Sequence, residues 1–296
     1  MEKEKNLKQI AEINQMARFG AEIIISKIGV SSIGNRLFLR KDNILNEEWY
    51  QKHVINHLEF FSSEEGLEDT IKILKELFSL EFSKNYEREN IQNIKKEENL
   101  RIVLQKERLY RDKIKYPRIP LKIWKESMQI SFEITITPYI GKVCSYEKKS
   151  LKTVFSGKEE VFYYIFSKEE YLSRGFYEII SNLEQIDNVS WYKEIYDIII
   201  KEVVEGRKVS QIFESLLLVQ TISSIDQRLD IIKNLENNRL MKKRWKSQSR
   251  CERVIYPQWD QVIKLLVKFF TPILEGVLKG EIFIGDWMPQ IGRYLN

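Results

Sequence analysis

The first 28 residues repeat apolar or small side chains at alternating intervals of three and four positions. These positions are Leu7, Ile10, Asn14, Ala17, Ala21, Ile24 and Ile28. The spacing predicts one long amphipathic helix, because such residues share a face at 3.6 residues per turn. This helix could dock on its own domain, or it could form an oligomer or bind a partner protein as a short coiled coil.

Three further helices are predicted before residue 116. The first runs over Asn46–Phe60, with Asn46 as the N-cap, and the second over about Glu65–Phe82. A basic helix is predicted over about Leu100–Lys115, where the following prolines would end it. The N-terminal region is therefore expected to be helical.

The hydrophobic period then changes from that of a helix to that of a strand. From Ile130 to Thr137 apolar and polar residues alternate, which predicts a half-buried strand. Further strands are predicted at Ile140–Tyr146, Leu151–Phe155 and Val161–Phe166, the last two as a hairpin. Together they predict one small antiparallel sheet.

From residue 167 onward the pattern is again helical. Helices are predicted at about 167–186, 189–205, 209–223, 225–248 and 258–279, followed by a tail that is too apolar at 282–288 to be free. The predicted fold class is α+β, predominantly α-helical. Its parts are an N-terminal helical region (1–116), a small central antiparallel sheet (117–166) and a C-terminal helical bundle (167–296), which could also form one continuous domain.

The composition is typical of a globular protein. The chain has 296 residues, of which 43% are hydrophobic and 31% charged, so it is long and apolar enough to fold around its own core. Cys144 and Cys251 form no C-x-x-C pair, which favours a reducing, cytoplasmic environment. Charged residues and a proline interrupt the apolar stretch Val262–Leu278, so no membrane span is predicted.

Positive charge is concentrated in two segments of the chain. Arg101–Lys125 has nine basic and two acidic residues, and Arg239–Arg253 has seven basic and one acidic residue. The net charge of the whole chain is only +5, so the remainder is acidic. Such asymmetry indicates a polyanionic partner or an acidic protein surface.

On a helical projection, the second segment places six cations on one stripe, with Trp245 beside them as a base-stacking candidate. The stripe consists of Arg239, Lys242, Lys243, Lys246, Arg250 and Arg253. The first segment would likewise present Arg101, Arg108, Arg111 and Lys115 on one side. We therefore predict a nucleic-acid-binding accessory protein that works on DNA or RNA. The alternatives are internal pairing of these charges, an acidic protein partner in an assembly subunit, and anionic lipid.

Two short patterns suggest metal chemistry. His53 and His57 would share a helix face and could bind a metal, although no third ligand is evident. Glu147 and Lys149 form a Glu-x-Lys pattern that, with Glu133 on a neighbouring strand, would suit a metal-dependent nuclease. The chain contains no phosphate-binding loop, dinucleotide-binding glycine motif or nucleophile elbow. No cofactor is predicted, and a non-enzymatic role is favoured.

Overall fold

The computed structural model describes residues 2–41, 56–79, 100–105, 116–125, 127–152 and 160–295. Contacts divide the chain into two compact units. The first consists of Met1–Ile140 with Glu147–Ile165, and the second of Gly141–Tyr146 with Phe166–Asn296. The three-region division of the chain stays a prediction of the sequence.

The first unit is built on a seven-stranded mixed sheet. Two of its helices are α1 (Glu2–Val30) and α2 (Leu67–Ser79). The strands are β1 (Phe38–Leu39), β2 (His57–Ser63), β3 (Leu100–Leu104), β4 (Arg118–Lys125), β5 (Met128–Tyr139), β6 (Tyr146–Lys152) and β7 (Glu160–Phe166). Their spatial order is β3-β4-β5-β2-β1-β7-β6. β2 pairs with β5 and β1 with β7 in parallel, whereas β1–β2, β3–β4 and β4–β5 are antiparallel.

This sheet corrects the predicted fold class. The protein is mixed α/β, and the expectation of a small antiparallel sheet confined to 117–166 is wrong. Three strands come from before residue 116, where helices were predicted. Residues 57–60 and 100–104 are strands, so both helix predictions are wrong there, while 46–55 and 106–115 lie outside the described residues. Short apolar runs suit buried strands and buried helices equally well, which explains the error.

The structure confirms some of the other elements predicted for this unit and contradicts one of them. The helix predicted at 65–82 is confirmed by α2, and the strands predicted at 130–137 and 161–166 are confirmed by β5 and β7. The strand predicted at 140–146 is wrong, because residues 140–145 form no ladder. The strand predicted at 151–155 begins inside β6, and its last three residues lie outside the described part.

The core of the first unit lies between one face of the sheet and the two helices. Inward positions alternate along the strands, as a pleated sheet requires. They include Leu58, Phe60, Ile119, Leu121, Ile123, Phe132, Ile134 and Ile136. The predicted α1 helix is confirmed, and its seam is buried in this core from Ala17 to Ile28, whereas Ile10 is exposed. An oligomer through α1 stays a prediction.

The second unit is mainly helical. It contains α3 (Lys168–Asn182), α4 (Ser190–Lys201), α5 (Gly206–Val219), α6 (Ile225–Asn234), α7 (Arg239–Glu252) and α8 (Trp259–Lys279). The helix predicted at 225–248 is divided into α6 and α7 by the 3-10 turn Leu235–Asn237. The strands β8 (Val204–Glu205), β9 (Asp286–Met288) and β10 (Arg293–Leu295) form a small sheet in the order β10-β9-β8. The tail is held by Trp287, whose indole is buried and donates to the carbonyl of Ile199.

A buried ion pair attaches the segment Gly141–Tyr146 to this unit. Glu170 and Arg174 lie one turn apart on α3, with Nη2 and Oε1 separated by 2.6 Å. The same carboxylate accepts the backbone N–H groups of Cys144 and Ser145, and Arg174 donates to the carbonyl of Lys142. Three backbone groups of this segment therefore bond to side chains of α3.

The described helices do not include one with the uninterrupted apolar length that crossing a bilayer requires.

Gly175 on α3 tests the packing of the second unit. A Cβ there would lie 2.7 Å from the ring of Trp191 and 2.8 Å from Ile195 on α4. We expect Gly175→Ala to lower the free energy of unfolding by about 1–3 kcal/mol in urea titrations, because the crowding outweighs the gain in helix propensity. Gly66→Ala is the control, since no heavy atom lies within 4 Å of its added methyl. Unchanged or higher stability of Gly175→Ala would contradict this packing.

Candidate functional site

The predicted cationic stripe lies on α7, whose sequence explains both its start and its orientation. The side chain of Asn238 accepts the N–H of Met241 and caps the helix, and Arg253 ends it with a left-handed backbone at φ 55°. Met241 and Trp245, one turn apart, are buried at 0% and 3% exposure. These two side chains turn the rest of the helix toward water.

Six cations lie on this helix and its C-cap, and together they are called the basic stripe. Lys242 is half-buried, and the other five are exposed. None of the six forms a side-chain hydrogen bond or an ion pair with another residue that the structure describes. The stripe consists of Arg239, Lys242, Lys243, Lys246, Arg250 and Arg253.

The seventh cation of the segment, Arg244, has a different role. Its guanidinium donates to the carbonyls of Glu184 at 2.8 Å and Asp187 at 3.3 Å, and also to that of Ile186. These carbonyls belong to the end of the 3-10 turn that follows α3 and to the residues after it. Arg244 therefore ties α7 to the helical core, a role that its position in a basic run did not reveal.

A groove runs beside the basic stripe, and we call it the α7–α8 groove. Residues 254–258 turn back along α7, where Trp245 Nε1 donates to the carbonyl of Pro257 at 2.9 Å. A second contact joins the hydroxyl of Ser249 to the carbonyl of Val254. The groove has a volume of about 370 Å³, and its lining includes Lys242, Lys246, Arg250, Tyr256, Gln258 and Asp260.

Most of the aromatic surface around this groove is used in packing. Trp245 packs against Trp259 and Tyr256, with ring centroids 5.2 and 4.5 Å apart. Trp259 is buried and donates to the carbonyl of Leu235. The indole of Trp245 is therefore not exposed for stacking on a base, which is the role predicted for it. Burial raises the pKa of Tyr256, and Glu252 acts in the same direction, so its hydroxyl stays a neutral donor.

A second polar cluster lies on the parallel pair β2–β5, and the sequence reasoning named His57 and Glu133 only in separate candidate sites. The register places His57 beside Glu133 and Glu59 beside Thr135. Glu59 accepts hydrogen bonds from Arg40 at 2.6 Å and Thr137 at 2.9 Å. The alternation of polar and apolar residues over 57–60 was the available signal, but it extends over too few residues to exclude a helix.

The open end of this cluster contains Glu133, whose Oε1 lies 3.7 Å from Arg118 Nη1. Loss of hydration around the ring of His57 lowers its pKa, while Glu59 and Glu133 act in the opposite direction. Each carboxylate is thus close to a guanidinium. The described residues include no group of three His, Cys, Asp or Glu side chains that could hold a metal ion.

The structure does not bring the predicted nuclease residues together. Glu133 lies on β5, whereas Glu147 and Lys149 lie on β6. Three strands separate β5 from β6, a distance of about 19 Å across the sheet. The prediction that His53 and His57 share a helix face is also wrong, because His57 lies on a strand. His53 is outside the described residues.

The structure describes only part of the first basic segment, Arg101–Lys125. Arg101 lies exposed on β3, opposite Trp124 of β4, so it belongs to a strand and not to the predicted helix. Arg108, Arg111 and Lys115 lie outside the described residues. A nucleic-acid-binding role for these four residues stays a prediction.

Comparisons with known proteins give little guidance. No family model matches the chain, and neither does any curated protein. Among solved structures, the chain is similar to JHP933 from Helicobacter pylori, with 11% identity, a TM-score of 0.34 and coverage of 92% of this chain and 94% of that one. It is also similar to a candidate nucleotidyltransferase from H. pylori, with 11% identity, a TM-score of 0.26 and coverage of 95% and 99%. At these TM-scores the likenesses assign neither a fold nor a function.

The different roles of neighbouring cations on α7 can be measured. We expect Arg244→Gln to lower the free energy of unfolding by about 1–3 kcal/mol, because three carbonyls lose a charged donor. Lys243→Gln, the adjacent exposed residue, should change it by less than about 0.5 kcal/mol. Urea titrations of the two variants provide the comparison, and similar losses in both would contradict the anchoring role of Arg244.

Proposed function

We propose that the second unit binds nucleic acid through the phosphate backbone, using the basic stripe on α7. The observation that carries this proposal is that five cations on one helical face, and a sixth at the C-cap, have no ion-pair partner among the described residues. Phosphates supply the charge that the fold leaves uncompensated, and binding of this kind releases condensed counterions.

The contrast with other lysines of the same unit supports the proposal. Lys193 pairs with Asp197, Lys208 with Glu205 and Lys233 with Asp230, each within three or four positions on the chain. Acids close in the sequence thus balance these three lysines. On α7 the only acid, Glu252, is at the last turn, so the stripe is a local excess of positive charge.

The geometry suits a repeating anion. At 1.5 Å per residue, the helical cations of the stripe, from Arg239 to Arg250, extend over about 17 Å, and cations four positions apart are separated by about 6 Å along the axis. The helix holds these spacings rigidly because Met241, Trp245 and Arg244 fix it to the core. Lysine and arginine contacts to phosphate do not read sequence, so we expect binding to any sequence. This binding role includes no catalytic step.

Removal of three stripe cations tests the proposal. We expect the triple variant K242Q/K246Q/R250Q to bind labelled DNA or RNA more weakly. The slope of log affinity against log salt should become shallower by about 3 for duplex DNA, since three phosphate contacts are lost. Fluorescence anisotropy over a salt series measures both quantities, with single and double strands compared in parallel.

The matched control is K193Q/K208Q/K233Q, which removes the same net charge from lysines that are paired with acids. It should keep the wild-type slope. Equal loss in both triple variants would show that only net charge matters. Absence of binding by the wild type at the lowest salt would refute the proposal and favour an acidic protein as the partner.

A further inference from the structure

The α7–α8 groove carries charge of both signs, which a site for a simple anion does not need. Lys242, Lys246 and Arg250 come from α7, while Gln258 and Asp260 come from the start of α8. We infer that this groove binds a nucleoside monophosphate, with the phosphate at the α7 cations and the nucleoside toward Asp260. The inference rests on the proposed function and adds a substrate class to it.

The phosphate position follows from the three cations. They occupy positions i, i+4 and i+8 of α7, so they form one row along the groove. None of them forms an ion pair with another described residue, and an arginine guanidinium offers a forked pair of donors that matches phosphate oxygens.

The remainder of the groove indicates that the ligand extends beyond a phosphate. A volume of about 370 Å³ lies in the range of sites for small organic ligands. Asp260 repels a bare anion, but its carboxylate accepts hydrogen bonds from the amino groups of a base or the hydroxyls of a sugar. Among the described residues its ion-pair partner is Lys264, with Nζ 3.9 Å from Oδ2 at an exposed position, so the carboxylate keeps acceptor capacity.

A nucleoside monophosphate has two sources, a free nucleotide and the terminal nucleotide of a strand. The stripe favours the terminal nucleotide, because Arg239 and Lys243 extend it outside the groove, where they would contact the following phosphates. The protein would then bind strand ends that carry a phosphate more tightly than ends that carry a hydroxyl.

Calorimetric titration of the full-length protein with adenosine monophosphate, adenosine and inorganic phosphate tests the groove. The nucleotide should bind at least about tenfold more tightly than either of its parts. Lys246→Gln and Arg250→Gln should each weaken nucleotide binding about tenfold, whereas Lys233→Gln, on α6 and outside the groove, should leave it unchanged. Equal effects at Lys233 and Lys246 would overturn the assignment to the groove.

Asp260→Ala separates a nucleotide site from an anion site. The variant should bind adenosine monophosphate more weakly and inorganic phosphate more tightly, since it loses an acceptor and a repulsive charge together. Tighter binding of both ligands would overturn the inference and leave only an anion site. Unchanged binding of both would also overturn it.

Matched oligonucleotides with terminal phosphate or hydroxyl groups, titrated at one salt concentration, distinguish this inference from the proposed function. Tighter binding of the phosphorylated strand, reduced by Arg250→Gln, supports the inference. Salt-dependent binding that ignores the terminal group, with no nucleotide binding, refutes the inference alone. Nucleotide binding without oligonucleotide binding refutes the proposed function and identifies the free nucleotide as the ligand.

Discussion

The burial of Trp245 is the interaction on which the candidate site depends. Its indole packs against Trp259 and Tyr256, and its N–H group holds the carbonyl of Pro257. One side chain therefore fixes the rotation of α7, the path of the returning loop and the start of α8. The cations face water because the opposite side of the helix is buried. The groove lies beside them because the hydrogen bond from Trp245 to Pro257 holds the returning loop against α7.

The cost of this arrangement is electrostatic. The six like charges of the basic stripe repel one another, and no described acid forms an ion pair with any of them. The contacts of Arg244 offset part of this repulsive energy. Its guanidinium donates to backbone carbonyls that the 3-10 turn would otherwise leave without a donor. Stability and ligand binding thus use neighbouring cations of one segment for different purposes.

The sequence predicted the features that depend on local periodicity. The stripe on α7 follows from helical spacing, and β5 follows from strict alternation. The features it did not predict depend on distant partners. Nothing in the run that contains Arg244 distinguishes it from Lys243, since its acceptors lie about 60 residues earlier. Likewise, β2 is a strand because β5 pairs with it, and Trp245 is buried because residues beyond α7 return to cover it.

The strand β1 has a consequence for how the protein is made. This two-residue strand pairs with β2 on one side and, through Phe38 and Tyr164, with β7 on the other. The two halves of the sheet therefore join only after residue 164 has left the ribosome. Every strand of this sheet is synthesised before residues 167–296, which form most of the second unit. Until β7 arrives, the edge of β1 that pairs with it stays exposed.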